Sequence, residues 1–150
     1  MRPFALRHVR SVLVAAFSPA PKLDPQVERP TVLVVEDEVL LRLTVAEELR
    51  ANGIGVLEAA NADEALALLQ SQVAINLVLT DVRMPGSMDG LALANLLRQT
   101  RPGLKLIIAS GHLPDLGPRE TAEAFIHKPY DLPIVVKQIK ALLASIENES

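Results

Sequence analysis

From Pro30 onwards, the sequence alternates short runs of aliphatic and β-branched residues with longer stretches in which apolar residues recur at helical spacing. This alternation is typical of βα units, in which parallel strands form a sheet with helices packed on both faces. We count five such units, and 150 residues are enough for one domain with a sizeable core. The pattern therefore predicts an α/β fold with a doubly wound, five-stranded parallel sheet, in one domain over residues 30–147.

Local signals indicate where the predicted elements begin and end. Asn61 followed by Glu64 resembles a capping box at a helix start, and Asp89 can cap the next helix. The glycines and prolines between residues 111 and 118 leave room only for a short fourth helix. The predicted strands are residues 31–36, 54–58, 75–80, 104–109 and 124–127, and the predicted helices are residues 39–51, 62–72, 90–100, 118–123 and 131–146.

Residues 1–29 differ from the rest in composition, because they carry five Lys and Arg against two Asp and Glu. Arginines before the apolar run Val12–Phe17 imitate the start of a secretory signal, but the run is short and Pro19 follows it closely. A transmembrane helix needs about 20 apolar residues, which this run lacks. Prolines at positions 19, 21, 25 and 30 are typical of an extended linker. We expect a disordered or partly helical leader that does not enter a membrane.

The remaining residues carry ten Lys and Arg against sixteen Asp and Glu, so the predicted domain is acidic. An acidic domain in a chain with three Phe, one Tyr and no Trp lacks the basic, aromatic surface that holds nucleic-acid backbones. The chain also has no Cys, which excludes disulfides, thiolate metal sites and thiol nucleophiles. We therefore expect a cytoplasmic protein that does not bind nucleic acid directly.

Polar side chains follow four of the five predicted strands. Glu36 and Asp37 come after the first strand, and Asp81 comes after the third. Ser110 follows the fourth strand and Lys128 follows the fifth. Because the carboxyl ends of parallel strands lie along one edge of a sheet, where ligands bind, we expect these side chains to lie close together. The sequence therefore predicts an acidic pocket that faces one hydroxyl group and one amine.

Three neighbouring carboxylates favour a hard cation, because Mg²⁺ in proteins takes oxygen ligands and shares them with phosphate groups. Together with a lysine, such a set suits the transfer of a phosphoryl group to a carboxylate. Asp81 is the best candidate nucleophile, since it leaves a central strand opposite the acidic pair. The alternative for each residue alone is structural, with Glu36 as a helix cap, Lys128 as a salt-bridge partner and Ser110 as a turn residue.

Taken together and in this order, the motifs resemble those of the response-regulator receiver domain of bacterial two-component signalling. The resemblance covers about residues 31–146 and is to the stand-alone, single-domain type. It rests on the motifs Glu36–Glu38, Asp81–Pro85, Asp89–Gly90, Ser110–Gly111 and Lys128–Pro129. The resemblance identifies residues 30–147 as a receiver domain, and it implies a flavodoxin-like strand order of 2-1-3-4-5.

The resemblance implies roles for the residues of the acidic pocket. Asp81 is the implied phosphoacceptor. The implied Mg²⁺ ligands are Glu36, Asp37, Asp81 and the backbone carbonyl of Arg83. Glu36 stands where the family often has Asp, and its longer side chain can reach the ion through a water. The side chains of Arg83 and His112 flank the phosphoryl group in the family, and we predict that they tune hydrolysis of the acyl phosphate.

Other residues have implied roles in the response to phosphorylation. Lys128 contacts the phosphoryl group, and Lys128–Pro129 is a candidate cis peptide because the family's Lys–Pro bond is often cis. Ser110 and Phe125 form the implied switch pair, in which an inward movement of Ser110 leaves space for the aromatic ring. This change biases the face formed by predicted helix 4, strand 5 and helix 5 towards a second arrangement.

The leading hypothesis is a single-domain response regulator that accepts a phosphoryl group from a histidine kinase or a histidine phosphotransfer protein. It would act on a downstream protein, with or without a homodimer through the same switching face, and it would not be an enzyme beyond slow self-dephosphorylation. One alternative is a phosphate sink for a shared kinase. Another is an Asp-nucleophile phosphohydrolase, although such enzymes usually carry Asp-x-Asp where this chain has Glu36–Glu38.

Overall fold

The computed structural model describes residues 28–112 and 119–149. Within these residues the strands are β1 (Thr31–Val35), β2 (Gly55–Ala59), β3 (Leu77–Asp81), β4 (Lys105–Ser110) and β5 (Ala124–His127). The helices are α1 (Val39–Ala51), α2 (Ala62–Gln70), α3 (Gly90–Thr100) and α4 (Leu132–Asn148), with a 3-10 turn at Arg119–Thr121. The strands form one parallel sheet in the order β2-β1-β3-β4-β5. The predicted fold class and the implied strand order are confirmed.

Each face of the sheet packs against two helices, because successive strand residues point to opposite faces. In β1, Leu33 and Val35 face one core, and Val32 and Val34 face the other. The α2/α3 core includes Leu33, Val35, Ala65, Leu69, Val78, Leu93, Leu97, Leu106 and Ile108. The α1/α4 core includes Val32, Val34, Val45, Leu49, Leu77, Leu79, Ile107, Val135 and Ile139. Two full cores hold the inner strands β1 and β3 in place, and the acidic residues lie at the carboxyl ends of these strands.

Three of the helices begin with a side-chain cap that accepts a hydrogen bond from the backbone amide three residues later. The donor–acceptor distances are 2.9 Å at Asn61 for α2, 2.8 Å at Asp89 for α3 and 3.3 Å at Asp131 for α4. Such caps satisfy backbone amides that have no partner within the helix. The predicted caps of α2 and α3 are confirmed.

The predicted fourth helix near residues 118–123 is wrong. The described chain makes only the 3-10 turn Arg119–Thr121 before β5 begins at Ala124. The amide of Glu123 already donates to the carbonyl of Leu106 on β4 at 3.0 Å. The chain therefore joins the sheet too soon after the 3-10 turn for an α-helix to form. Residue 118, at the predicted helix start, lies outside the described residues.

Three strands, β2, β3 and β4, end one residue later than predicted, and in β3 and β4 this changes where a polar residue lies. Asp81 is the last residue of β3 and Ser110 is the last residue of β4, whereas both were expected just after their strands. The ladder continues past them, because the amide of Lys128 donates to the carbonyl of Ser110 at 2.9 Å. The other predicted bounds lie within two residues of those observed.

The predicted leader lies almost entirely in residues 1–27, which are outside the described residues, as are residues 113–118 and residue 150. Its disordered or partly helical character therefore stays a prediction. Among the described helices, none is long and apolar enough to cross a membrane.

Candidate functional site

Three carboxylates meet where β1 and β3 end. Glu36, Asp37 and Asp81 each offer an oxygen, and these oxygens all lie within 4.8 Å of one another. Glu36 and Asp81 are buried, whereas Asp37 is exposed. Burial removes the solvation of two carboxylates, and their mutual repulsion requires a nearby positive charge. The predicted acidic pocket is therefore present as a close cluster.

Lys128 supplies that charge from the end of β5. Its Nζ donates to Glu36 Oε2 at 2.8 Å and to Asp81 Oδ2 at 3.1 Å, and its side chain is only 16% exposed. The ammonium also lies 5.5 Å from the centre of the Tyr130 ring, within the range of a cation–π interaction. The Lys128–Pro129 peptide bond is cis. Lys128 thus bridges the acid after β1 and the acid of β3.

The ionisable groups of the cluster perturb one another. Burial raises the pKa of Glu36, and the charge of Asp81 adds to this, while the hydrogen bond from Lys128 opposes it. Burial alone would lower the pKa of Lys128, but its bond to Glu36 and the charge of Asp81 outweigh burial and raise that pKa. Burial also raises the pKa of Tyr130, as do the charges of Glu36 and Asp81. Lys128 therefore stays a cation at neutral pH, and Tyr130 stays a neutral phenol.

An open pocket of about 460 Å³ lies beside this cluster. Its lining residues are Asp81, Arg83, Ser110, Gly111, His112 and Lys128. The structure therefore brings together the candidate nucleophile, the amine, the hydroxyl group and both residues predicted to tune hydrolysis. Such a pocket has room for a phosphoryl group against Asp81.

The implied switch pair lies on one face of the sheet. Phe125 pairs in register with Ile108, two residues before Ser110, and its half-buried ring packs against the α2/α3 core. Ser110 Oγ accepts from the amide of His112 at 3.0 Å and donates to the carbonyl of His112 at 2.9 Å. In this structure the hydroxyl group is therefore engaged by its own loop.

Two further residues contact the site and were missed by the sequence analysis. Tyr130 packs by the Lys128 ammonium, and its position two residues after the lysine was the available signal. Arg42 donates from Nη1 to the backbone carbonyl of Glu36 at 2.7 Å. No local pattern indicates a bond from a helix side chain to a loop carbonyl, because it depends on how α1 packs against the sheet.

The donor set fits a hard divalent cation. Three carboxylates at the ends of two adjacent strands provide only oxygen atoms, and among the described residues the cluster includes no imidazole or thiolate. Oxygen ligation with an open, solvent-facing side is the arrangement that Mg²⁺ uses when it keeps waters or shares phosphate oxygens. Glu36, Asp37 and Asp81 could therefore hold the ion, and Arg83 lies in the pocket beside them.

The sequence matches the family described as response regulator receiver domain over residues 32–140. A sensor kinase, CckA of Brucella abortus, is 36% identical over 118 residues, covering 75% of this chain and 12% of the kinase. The chain spans between 12% and 51% of the length of the first curated relatives that it matches. The whole-protein activities of these relatives therefore do not transfer to this chain.

Solved structures with the same fold support the match. A CheY-like receiver domain protein from Methanospirillum hungatei is 29% identical with a TM-score of 0.75, covering 82% of this chain and 100% of that one. The response regulator TrrA from Thermotoga maritima, described in complex with Mg²⁺–BeF, is 27% identical with a TM-score of 0.68, covering 75% of this chain and 98% of that one. The chain belongs to the receiver domain family of two-component response regulators.

Proposed function

We propose that this receiver domain accepts a phosphoryl group on Asp81 from a histidine kinase or a histidine phosphotransfer protein, in a reaction that requires Mg²⁺. The carrying observation is the bridge of the Lys128 ammonium between Glu36 and Asp81 beside an open pocket. The bridge places a cation next to the candidate nucleophile. The Mg²⁺–BeF complex of the Thermotoga relative supports the same chemistry.

The transfer forms one bond and breaks one. An Asp81 carboxylate oxygen attacks phosphorus, and the P–N bond to the donor imidazole breaks, which leaves an acyl phosphate and a free imidazole. The Lys128 ammonium offsets the negative charge of the incoming phosphoryl group. Mg²⁺, held by Glu36, Asp37, Asp81 and the Arg83 carbonyl, would supply further positive charge when bound.

The new phosphoryl group then competes for the Ser110 hydroxyl group. Its oxygens are strong acceptors, so they favour rotation of Ser110 Oγ away from the two bonds to His112. That rotation changes the space available to Phe125, which lies on the same face of the sheet. We infer that phosphorylation shifts the population of conformations of the surface around β5 and α4.

We further propose that Arg83 and His112 tune the lifetime of the acyl phosphate. Both line the pocket that Asp81 enters, so their side chains can limit or assist the approach of water. A cytoplasmic location, a downstream protein partner and a homodimer through the switching face belong to the same proposal. In place of the predicted fourth helix, that face carries the 3-10 turn Arg119–Thr121.

The surface next to the acidic loop supports a protein as the phosphoryl donor. Val39, Leu40 and Leu43 in the first turns of α1 are 54%, 75% and 40% exposed, and Ile134 in the first turn of α4 is 51% exposed. Large apolar side chains that are grouped on one helix next to a polar site, as the three on α1 are, are typical of protein-binding surfaces. A small-molecule phosphoester would not need them.

We predict that Leu40→Asp lowers the rate of phosphotransfer from a histidine donor by about tenfold or more, because a charge would replace an apolar contact in the interface. The rate with the small donor acetyl phosphate should change by less than about twofold, since Leu40 is outside the pocket. Val73→Asp is the matched control, because Val73 is 48% exposed but lies by Thr31 at the opposite edge of the sheet. Equal rates for wild type and Leu40→Asp with the protein donor would contradict the prediction.

The same chemistry in a phosphohydrolase would give a different time course. We expect acetyl phosphate and Mg²⁺ to give one stoichiometric adduct that is stable in acid and labile in base, and chelation of Mg²⁺ with EDTA should reduce its formation to background. Intact-mass measurement and release of inorganic phosphate are followed together. Sustained multiple turnover of small phosphoesters would favour the Asp-nucleophile phosphohydrolase. If the chain instead takes phosphoryl groups from a shared kinase faster than any downstream response appears, that result would favour the phosphate sink.

A further inference from the structure

Arg42 lies near the start of α1 and connects the acidic loop to the edge strand β2. Its Nη1 donates to the backbone carbonyl of Glu36 at 2.7 Å, and its Nε lies 3.5 Å from Oε1 of Glu58. Its side chain is 15% exposed, so water competes little for these bonds. We propose that Arg42 is a positioning residue for the metal site, which holds the backbone that carries Asp37. The inference deepens the proposed function and rests on it.

The bond to the Glu36 carbonyl acts on the peptide group that leads into Asp37. The carbonyl of Glu36, the amide of Asp37 and the Cα of Asp37 belong to one planar unit, so fixing the carbonyl direction also fixes the position of the Cα that carries the Asp37 side chain. The Asp37 carboxylate has no hydrogen bond or ion pair within the described part of the chain. The position of this carboxylate therefore depends on the backbone that Arg42 holds.

Glu36 does not need the same support. Its Oε2 accepts from Lys128 at 2.8 Å, and its Oε1 accepts from the amide of Glu38 at 3.2 Å. Both oxygens of this buried carboxylate are thus oriented by direct bonds. We expect the loss of Arg42 to affect the exposed ligand Asp37 more than the buried ligand Glu36.

Glu58 offsets the positive charge of Arg42 next to the acidic loop. An unpaired guanidinium beside the acidic loop would repel a divalent ion, and the Glu58 carboxylate offsets its charge. Glu58 lies on β2 opposite Val34 of β1, so it is anchored in the sheet. It also accepts from Arg50 Nη2 at 2.9 Å. Arg50 therefore shares the carboxylate with Arg42, but its bonds do not include the Glu36 carbonyl.

This difference gives a matched pair of variants, Arg42→Met and Arg50→Met. Each keeps an apolar stem and removes one guanidinium from Glu58, but only Arg42→Met removes the bond to Glu36. We expect the Mg²⁺ dissociation constant to rise about tenfold in Arg42→Met, the size of effect typical when a group that orients a metal ligand is lost. Arg50→Met should stay within about twofold of wild type.

Mg²⁺ affinity is measured on the full chain by titration of the unphosphorylated protein, followed by the NMR shifts of backbone amides. Phosphorylation by acetyl phosphate is then measured across Mg²⁺ concentrations. In Arg42→Met the half-saturating Mg²⁺ concentration should rise about tenfold while the maximal rate stays near that of wild type. A variant that is only destabilised would not combine a raised half-saturating Mg²⁺ concentration with an unchanged maximal rate. Urea unfolding without Mg²⁺ measures the stability of each variant.

The outcomes separate this inference from the function on which it rests. Wild type that neither binds Mg²⁺ nor becomes phosphorylated would overturn the proposed function and this inference together. Wild type that binds Mg²⁺, with Arg42→Met binding equally well, would overturn the inference alone. Equal losses of affinity in Arg42→Met and Arg50→Met would also overturn it, because they would assign the effect to Glu58 instead of the Glu36 carbonyl.

Discussion

Asp81→Asn is expected to abolish covalent phosphorylation of the chain by any donor. The amide that replaces the carboxylate has nearly the same size but is not a nucleophile, so no acyl phosphate can form. The single oxygen of the amide can still accept a hydrogen bond from Lys128, in place of the bond that Asp81 Oδ2 accepts at 3.1 Å. The substitution also removes one charge from three carboxylates that lie within 4.8 Å of one another. We therefore expect lost labelling without lost stability.

The measurement is transfer of labelled phosphoryl groups from a panel of histidine kinases, with wild type and variant side by side. Asp89→Asn is the matched control in the same loop, because Asp89 caps α3 and Asn is an equally good cap. This control should be labelled as well as wild type. Label that persists in Asp81→Asn would show that another residue is the acceptor, and would end the proposed role of Asp81.

Gly90→Ala is expected to lower the free energy of unfolding by about 3 kcal/mol, the upper part of the range for overpacking a core position. Gly90 is buried at the start of α3, and its amide donates to the carbonyl of Val82 at 2.8 Å. A Cβ at this position would overlap the backbone carbonyl oxygen of Asp81 and would lie 2.9 Å from Thr80 Oγ1. The overlapping Asp81 oxygen belongs to the backbone of a buried residue, so relief requires movement of the backbone.

Helix propensity acts in the opposite direction and is the smaller effect. Ala is favoured over Gly by about 1 kcal/mol inside a helix, which cannot offset an overlap with backbone atoms. The displaced backbone carries the candidate nucleophile, so we also expect slower phosphorylation by acetyl phosphate in the fraction that stays folded. Gly90→Ala is therefore expected to lower both the stability of the fold and the rate of phosphorylation.

Urea unfolding compares Gly90→Ala with Gly103→Ala. A Cβ on Gly103 would meet nothing within 4 Å, so this second substitution should change the free energy of unfolding by no more than about 1 kcal/mol. If both variants unfold at the same urea concentration as wild type, then the close approach of α3 to Asp81 does not constrain residue 90.

Much of the architecture was predictable because secondary structure depends on local periodicity. Runs such as Val32–Val35 and Leu77–Leu79 are apolar on both faces, which is typical of strands buried between two helical layers. The caps Asn61 and Asp89 are also local, since each bonds to an amide three residues away. The fourth helix was mispredicted because the hydrogen bond from the Glu123 amide to the Leu106 carbonyl on β4 links residues that are far apart in sequence.

The sequence by itself determined that acidic residues stand at the ends of two strands and a lysine at the end of a third, and the common edge of a parallel sheet then predicted a shared pocket. Only the tertiary structure decided that Lys128 bridges Glu36 and Asp81, that Arg42 holds the Glu36 carbonyl, and that Gly90 meets Asp81. These contacts depend on strand order, register and helix packing to within about an ångström. A hydrophobic pattern specifies which side of an element is buried, but it does not specify which distant atom a side chain will contact.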